Sequence, residues 1–106
     1  MDKAYVKDGH LYLEYTFYDV SSLSSMGYKD KREIIPLSEI TKMNSFVGPK
    51  GGDHGWELIG KEKWEHSDEP KELTSFGRKQ GDLCMQVQEI MEENGIPFEE
   101  MPPKYQ

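Results

Sequence analysis

The chain has 106 residues, 35% of them hydrophobic and 31% charged, with a net charge of −7, which fits one domain with a modest core and leaves little room for a second. An aromatic content of 11% speaks against a disordered chain, and no apolar run approaches the ~18 residues of a membrane span. The single cysteine, Cys84, cannot form an internal disulfide, and no Cys/His spacing reads as a zinc finger.

The charged N-terminus, MDKAYVKDG, lacks the apolar stretch of a signal peptide, so a cytoplasmic protein is expected. Ala4–Lys7 reads as a short strand, and Asp8-Gly9 as the two-residue turn of a hairpin. The segment HLYLEYTFYDV, residues 10–20, follows with strict alternation. Leu11, Leu13, Tyr15 and Phe17 fall on one face and Tyr12, Glu14, Thr16 and Tyr18 on the other, the pattern of a half-buried strand. Residues 21–31, rich in Ser, Gly and charge, read as a loop that includes Tyr28.

Arg32–Leu37 is the next strand candidate, with Ile35 and Leu37 on one face and Ile34 on the other. Pro36 has no N–H and belongs at an edge, a bulge or the strand end. A turn at Ser38-Glu39 leads through Ile40 into TKMNSFV, where Met43 and Val47 share a face. The glycine-rich run FVGPKGGDHGW, residues 46–56, then connects to a strand carrying Trp56 and Leu58 on one face, with Gly60 marking a bulge or a close approach. HSDEP is a further turn, and KELTSFG a weaker last strand.

From Asp82 the period changes. Leu83, Val87, Ile90, Met91 and Asn94 recur at helical spacing, predicting an amphipathic helix over about 82–94. Gly81 or Asp82 suits its start, Gly95 its left-handed C′ position with Ile96 reaching back to Met91, and Pro97 its stop. Residues 98–106 are expected to be a flexible tail unless Phe98 and Met101 dock on the body. The domain is thus expected over 1–97.

This order, an antiparallel meander closed by one C-terminal helix, resembles that of pleckstrin-homology-like domains. The run Arg32-Glu33-Ile34-Ile35-Pro36-Leu37-Ser38-Glu39-Ile40 is similar to the strand-and-turn I-P-L-x-(D/E)-I of bacterial members of that family. The resemblance implies a mainly β fold: a partly open antiparallel barrel of six to seven strands capped by the helix. The alternative is an open antiparallel sheet with the helix packed on one face.

The glycine-rich run does not fit a P-loop. Gly48 and Lys50 precede the glycine pair, no Lys-Ser or Lys-Thr follows, and the next segment reads as a strand where a phosphate site needs a helix N-terminus. As a connection between strands it offers Lys50, Asp53, His54 and Trp56 as candidate partner contacts. A metal site would draw on His54 and His66 with Asp53 or Asp68. Cys84, in the first helical turn, lacks an identifiable base and reads as a passive thiol. Trp56 and Trp64 share a face of a continuous strand and read as core or barrel-end residues, whereas Tyr12, Tyr18 and Tyr28 could form an external patch.

No complete catalytic constellation is present in these motifs, and no cofactor is implied. The first expectation is a non-catalytic binding module with a protein or peptide partner. Phosphoinositide binding would rest on Lys29, Lys31 and Arg32, which are interleaved with Asp30 and Glu33, and is not expected. The second expectation is a small acidic inhibitor or immunity-type protein that blocks a basic surface. Residues 1–80 hold 14 acids against 12 bases, whereas residues 81–106 hold six acids against one base, a net of −5. That segment repels phosphates and makes nucleic acid an unfavourable partner. The third expectation is a metal-dependent enzyme built on the His54/His66 region. An exposed sheet edge would also permit homo-oligomers.

Overall fold

A computed structural model describes residues 2–20, 26–47, 54–77 and 81–100. The chain opens with the predicted hairpin, β1 (Lys3–Lys7) and β2 (His10–Asp19). Asp8 and Gly9 both take left-handed backbone angles, φ 53° and 75°, as a two-residue turn matched to strand twist requires. That turn sets the register, running from Lys7 opposite His10 to Lys3 opposite Glu14. The third strand, β3 (Gly27–Pro36), pairs antiparallel with the whole of β2, from Asp19 opposite Gly27 to His10 opposite Pro36.

Here the structure corrects the predicted loop. Gly27–Lys31 belong to β3, and Tyr28 is a strand residue; residues 21–25 lie outside the described residues. The polar composition of this stretch reflects its position at the sheet edge, where charged side chains stay in water. Cross-strand partners hold it: Thr16 Oγ1 donates to Asp30 Oδ1 at 2.8 Å, and Lys29 Nζ to Asp19 Oδ2 at 2.9 Å.

Pro36 ends β3 as expected, and a 3-10 turn over Leu37–Glu39 carries the chain into a second sheet. That sheet comprises β4 (Ile40–Val47), β5 (His54–Lys63), β6 (Pro70–Gly77) and a short β7 (Phe98–Glu100), in the order β6-β5-β4-β7. Among the described residues β1/β2, β2/β3, β4/β5 and β5/β6 pair antiparallel, whereas β7 runs parallel to β4. The β5/β6 ladder shifts register around Ile59, and a side chain on Gly60 would place its Cβ 2.8 Å from Leu73 Cδ2. Gly60 thus marks both the irregular ladder and the close approach that its sequence suggested.

The helix α1 (Gly81–Glu93) follows β6. It stops in a Schellman arrangement: Ile96 N–H donates to Met91 O at 2.8 Å, Gly95 N–H to Glu92 O at 3.2 Å, and Gly95 has φ 68°. Leu83, Cys84, Val87 and Met91 are buried, and Ile90 packs against them from the margin. They meet Leu11, Leu13 and Ile35 from the first sheet and Ile40, Met43, Leu58 and Phe76 from the second. One core therefore joins both sheets to the helix, each fully buried Leu, Val or Met stabilising it by about 2 kcal/mol.

The fold is mainly β with one helix near the C-terminus, but the barrel does not close. Sheet hydrogen bonding among the described residues forms two separate sheets, in keeping with the open-sheet alternative. Two local features account for this. The Pro36 turn takes the chain out of the first sheet, and the free edge of β1 is met by a helix side chain in place of a strand. Gln86 Oε1 accepts the Ala4 N–H at 2.8 Å, and Gln86 Nε2 donates to Asp2 O at 3.2 Å. The helix accordingly packs mainly on β1, reaching β4 and β7.

A second correction concerns the tail. Phe98–Glu100 form β7, because Phe98 docks on the core and the Met43 N–H donates to Pro97 O at 2.9 Å. Residues 101–106, including Met101, lie outside the described residues.

Candidate functional site

The glycine-rich loop divides. Lys50 and Asp53 lie outside the described residues. His54 opens β5 opposite Val47. Trp56 faces inward, half-buried against the core and opposite Phe76. Its alternation with Leu58 places it there, so Trp56 is a packing residue. Trp64 departs from the expected core position: it lies just beyond β5, 45% exposed, with Lys71 Nζ 5.4 Å from its ring centroid.

The histidine site fails on distance. His54 begins β5 and His66 lies in the turn after its other end, and ten residues of strand span about 30 Å. His66 has φ 68° and its ring sits 3.6 Å from Glu65, with both side chains 90% exposed. Asp68 is in the same exposed turn. His10 Nδ1 lies 2.8 Å from the Asp8 carbonyl, placed to donate to it within its own turn. Among the described residues no three His, Cys, Asp or Glu side chains converge as a metal site.

Cys84 is 1% exposed, and burial pushes its thiol up to about 12. Desolvation of the thiolate outweighs any lowering by the helix N-terminus, so the side chain is a passive core group. The three phosphoinositide candidates are also engaged. Lys29 pairs with Asp19 at 2.9 Å, Lys31 lies 4.0 Å from Glu33, and Arg32 serves the aromatic face described next.

The outer face of the first sheet brings together groups that sequence reading had only partly assembled. The hairpin register sets Tyr5 opposite Tyr12, and Tyr12 opposite Ile34. The two rings stack at 5.0 Å with an interplanar angle of 8°. The Arg32 guanidinium lies 5.3 Å from the Tyr12 ring centroid and donates through Nη2 to Tyr5 Oη at 3.3 Å. Lys3 Nζ sits 5.4 Å from the Tyr5 ring and 3.8 Å from Glu14 Oε2.

Hydrogen bonding by Tyr5, with Lys3 and Arg32 nearby, holds the Glu14 carboxyl below the usual carboxylate range. Lys3, Glu14, Thr16, Asp30 and Arg32 help to line a shallow hollow of ≈ 310 Å³. Beyond it, Tyr18 and Tyr28 meet edge to face at 5.2 Å and 76°. Tyr18 is 48% exposed, Tyr28 79% and Ile34 50%.

No family model matches the chain, and neither a curated protein nor a solved structure does. Among the described residues no helix is long and apolar enough to cross a membrane.

Tyr5 was missing from the aromatic patch expected from sequence. The signal that places it is the Asp8-Gly9 turn: a two-residue hairpin pairs Lys7 with His10, and counting back pairs Tyr5 with Tyr12. Tyr28 joins the patch only because β3 extends to Gly27.

Stacked tyrosines present flat, partly polar area at low conformational cost, and Arg32 adds a fixed cation between the rings and Glu14.

Proposed function

We propose that this protein is a non-catalytic binding module, and that its contact surface is the outer face of β1-β2-β3, taking a protein or peptide partner. The observation that carries this reading is the line of exposed aromatic and apolar side chains on that face, with Tyr18, Tyr28 and Ile34 each about half exposed or more. Aromatic and arginine side chains dominate the energetics of protein contacts, whereas a sheet face turned only to water normally carries polar groups. The groups that could serve catalysis support the same reading. Cys84 is buried with a raised pKa, and His54 and His66 are held apart by β5. The resemblance of Arg32–Ile40 and the final helix to bacterial pleckstrin-homology-like domains supports a binding role by analogy, since such folds commonly present loops or the helix groove to a protein or peptide.

Selection from a displayed peptide library, followed by amide chemical-shift mapping, tests this. Selected peptides are expected to perturb amides of Tyr5, Tyr12, Tyr18 and Tyr28, and Tyr12→Ala is expected to weaken them about tenfold or more. Peptides that map instead to α1, or that bind a Tyr12→Ala/Tyr28→Ala chain unchanged, would sink the proposal.

One observation favours the acidic-inhibitor reading as the second choice. The last turns of α1 carry Glu89, Glu92 and Glu93 and no base. Negative charge at a helix C-terminus opposes the dipole and costs a few tenths of a kcal/mol or more per residue. An arrangement unfavourable to the helix itself is explained if a basic partner faces it. Charge reversal at Glu92 and Glu93 would abolish binding under this reading and leave it unchanged under the first. Self-association through a sheet edge is compatible with either.

A further inference from the structure

The outer edge of β3 carries an inference drawn from its backbone and its charge order. Three hydrogen bonds fix which backbone groups point outward. The Ala4 N–H leaves β1 for Gln86, the Thr16 N–H of β2 turns to Asp2 on the β1 side, and the Leu37 N–H turns to Gly9 O. Backbone groups alternate in direction along a strand, so even-numbered residues of β2 face β1 and odd-numbered ones face β3. In β3 the N–H and C=O groups of Lys29, Lys31 and Glu33 therefore serve β2, while those of Tyr28, Asp30, Arg32 and Ile34 point to the free edge. Every one of Tyr28–Arg32 is exposed, and β2 is the only strand that pairs with β3 among the described residues.

We propose that two copies of this chain pair through their β3 edges, antiparallel about a two-fold axis at Lys31. An edge-to-edge pairing must oppose outward-facing residues to each other, so only registers centred on a single residue and matching even with even are open. Centring on Asp30 opposes Asp30 to itself and Lys29 to Lys31. Centring on Arg32 opposes Lys31 to Glu33, but also Arg32 to itself and the Asp30 charge to apolar Ile34. Centring on Lys31 opposes Asp30 to Arg32, Lys29 to Glu33 and Tyr28 to Ile34, each pair occurring twice.

Opposite charges facing across strands are favourable and like charges unfavourable, which selects this register. It also covers Tyr28 and Ile34, exposed at 79% and 50% in the single chain, with each other. The one adverse pair is Lys31 against itself at the axis. The partner fitted to this edge is thus a second copy, and the product is a continuous six-stranded sheet with both aromatic faces on one side.

Sedimentation velocity over a range of concentrations tests the proposal, with circular dichroism and melting confirming that each variant folds. The wild-type chain is expected to show a concentration-dependent dimer. Asp30→Arg turns two attractive pairs repulsive and should weaken the dimer about tenfold or more, and adding Arg32→Asp should recover most of that loss.

Lys31→Thr should tighten the dimer severalfold. A second measurement reads the register directly. Lys31 faces itself as a non-hydrogen-bonded pair, with Cα atoms about 4.5 Å apart, close enough for a disulfide. Lys31→Cys should therefore cross-link on mild oxidation, well ahead of Tyr28→Cys, while Cys84 stays buried. A chain that remains monomeric at all concentrations, a dimer indifferent to Asp30→Arg, or Lys31→Cys that cross-links no faster than Tyr28→Cys would overturn the proposal.

Discussion

Glu33 is where the two sheets are tied by side chains, and its removal gives the sharpest test of the fold described above. Its carboxylate accepts from Tyr15 Oη at 2.9 Å within the first sheet and from Thr74 Oγ1 at 2.9 Å in the second. The Glu33 side chain is 21% exposed and Thr74 is 9% exposed, so water replaces the lost acceptor poorly. Hydrogen bonds to a charged group contribute about 1.5–3 kcal/mol each. Taking the lower end for two bonds, Glu33→Ala should cost about 3 kcal/mol, which lowers the melting temperature of a domain this size by roughly 12 °C or more.

Glu33→Gln keeps an acceptor oxygen and loses the charge, so about half that loss is expected. The bridge itself is isolated by a double-mutant cycle with Thr74→Val, measured by urea unfolding at concentrations low enough to keep the chain monomeric. Thr74→Val should cost about 1–2 kcal/mol beside Glu33 and little beside Ala, a coupling of at least about 1 kcal/mol. A coupling below about 0.5 kcal/mol would refute the idea that this bridge joins the sheets.

Two further outcomes concern the helix. At Gly95, φ 68° with open space around the Cβ position means that Gly95→Ala meets no clash and pays only for the left-handed backbone. It should cost about 1 kcal/mol, read as a drop of roughly 5 °C in melting temperature, and no change would show that the Schellman stop is dispensable. The Cys84 thiol is raised from an ordinary 9.0 to about 12 by burial. Its neutral form therefore stabilises the fold fully below pH 9, and that contribution is lost as pH rises from 9 through 12. Comparing urea unfolding of wild type and Cys84→Ala at pH 8 and 10.5, the wild type should lose about 2 kcal/mol more over this interval. Parallel pH profiles for the two chains would contradict the assignment.

Wherever local chemistry alone decided the structure, the sequence was sufficient. The Asp8-Gly9 turn, the alternation of residues 11–18, the end of β3 at Pro36, the close approach at Gly60 and the Gly95 helix stop all follow from one or two residues and their backbone preferences. Three features depended on distant segments. The stretch Gly27–Lys31 has a loop's composition and becomes strand because the long β2 supplies partners and solvent takes its charges. Phe98–Glu100 becomes a strand because β4 has an edge to offer and the core receives Phe98.

Sheet closure was not legible because it depends on segments far apart in the chain, as at the β1 edge, where Gln86 meets Ala4 across 82 residues of sequence. The candidate site divided along the same line. Tyr12 and Tyr18 could be placed on the outer face from periodicity, whereas Tyr5, Tyr28 and Arg32 needed the register of three strands. Trp56 is a packing residue by the same alternation that makes Leu58 one.

The two edges of the first sheet are managed by different means, and the difference bears on what β3 pairing can build. At β1 the outward N–H of Ala4 is satisfied by Gln86, and α1 packs along the strand. That edge is thus hydrogen-bonded at Ala4 and covered in part by the helix. At β3 no helix packs on the edge among the described residues, and the strand carries charges of both signs: Lys29, Asp30, Lys31, Arg32 and Glu33. Uniform charge would repel every approaching strand, including a copy of itself. Mixed charge favours one register over its neighbours.

A sheet open at both edges would add copies without limit, as strands do in fibrils. With β1 covered, a chain that pairs through β3 has used its free edge in that sheet, and a two-fold contact between identical edges closes after two copies. In the proposed pairing, the helix that fills the core also limits the sheet at its β1 edge, where Gln86 takes the Ala4 N–H.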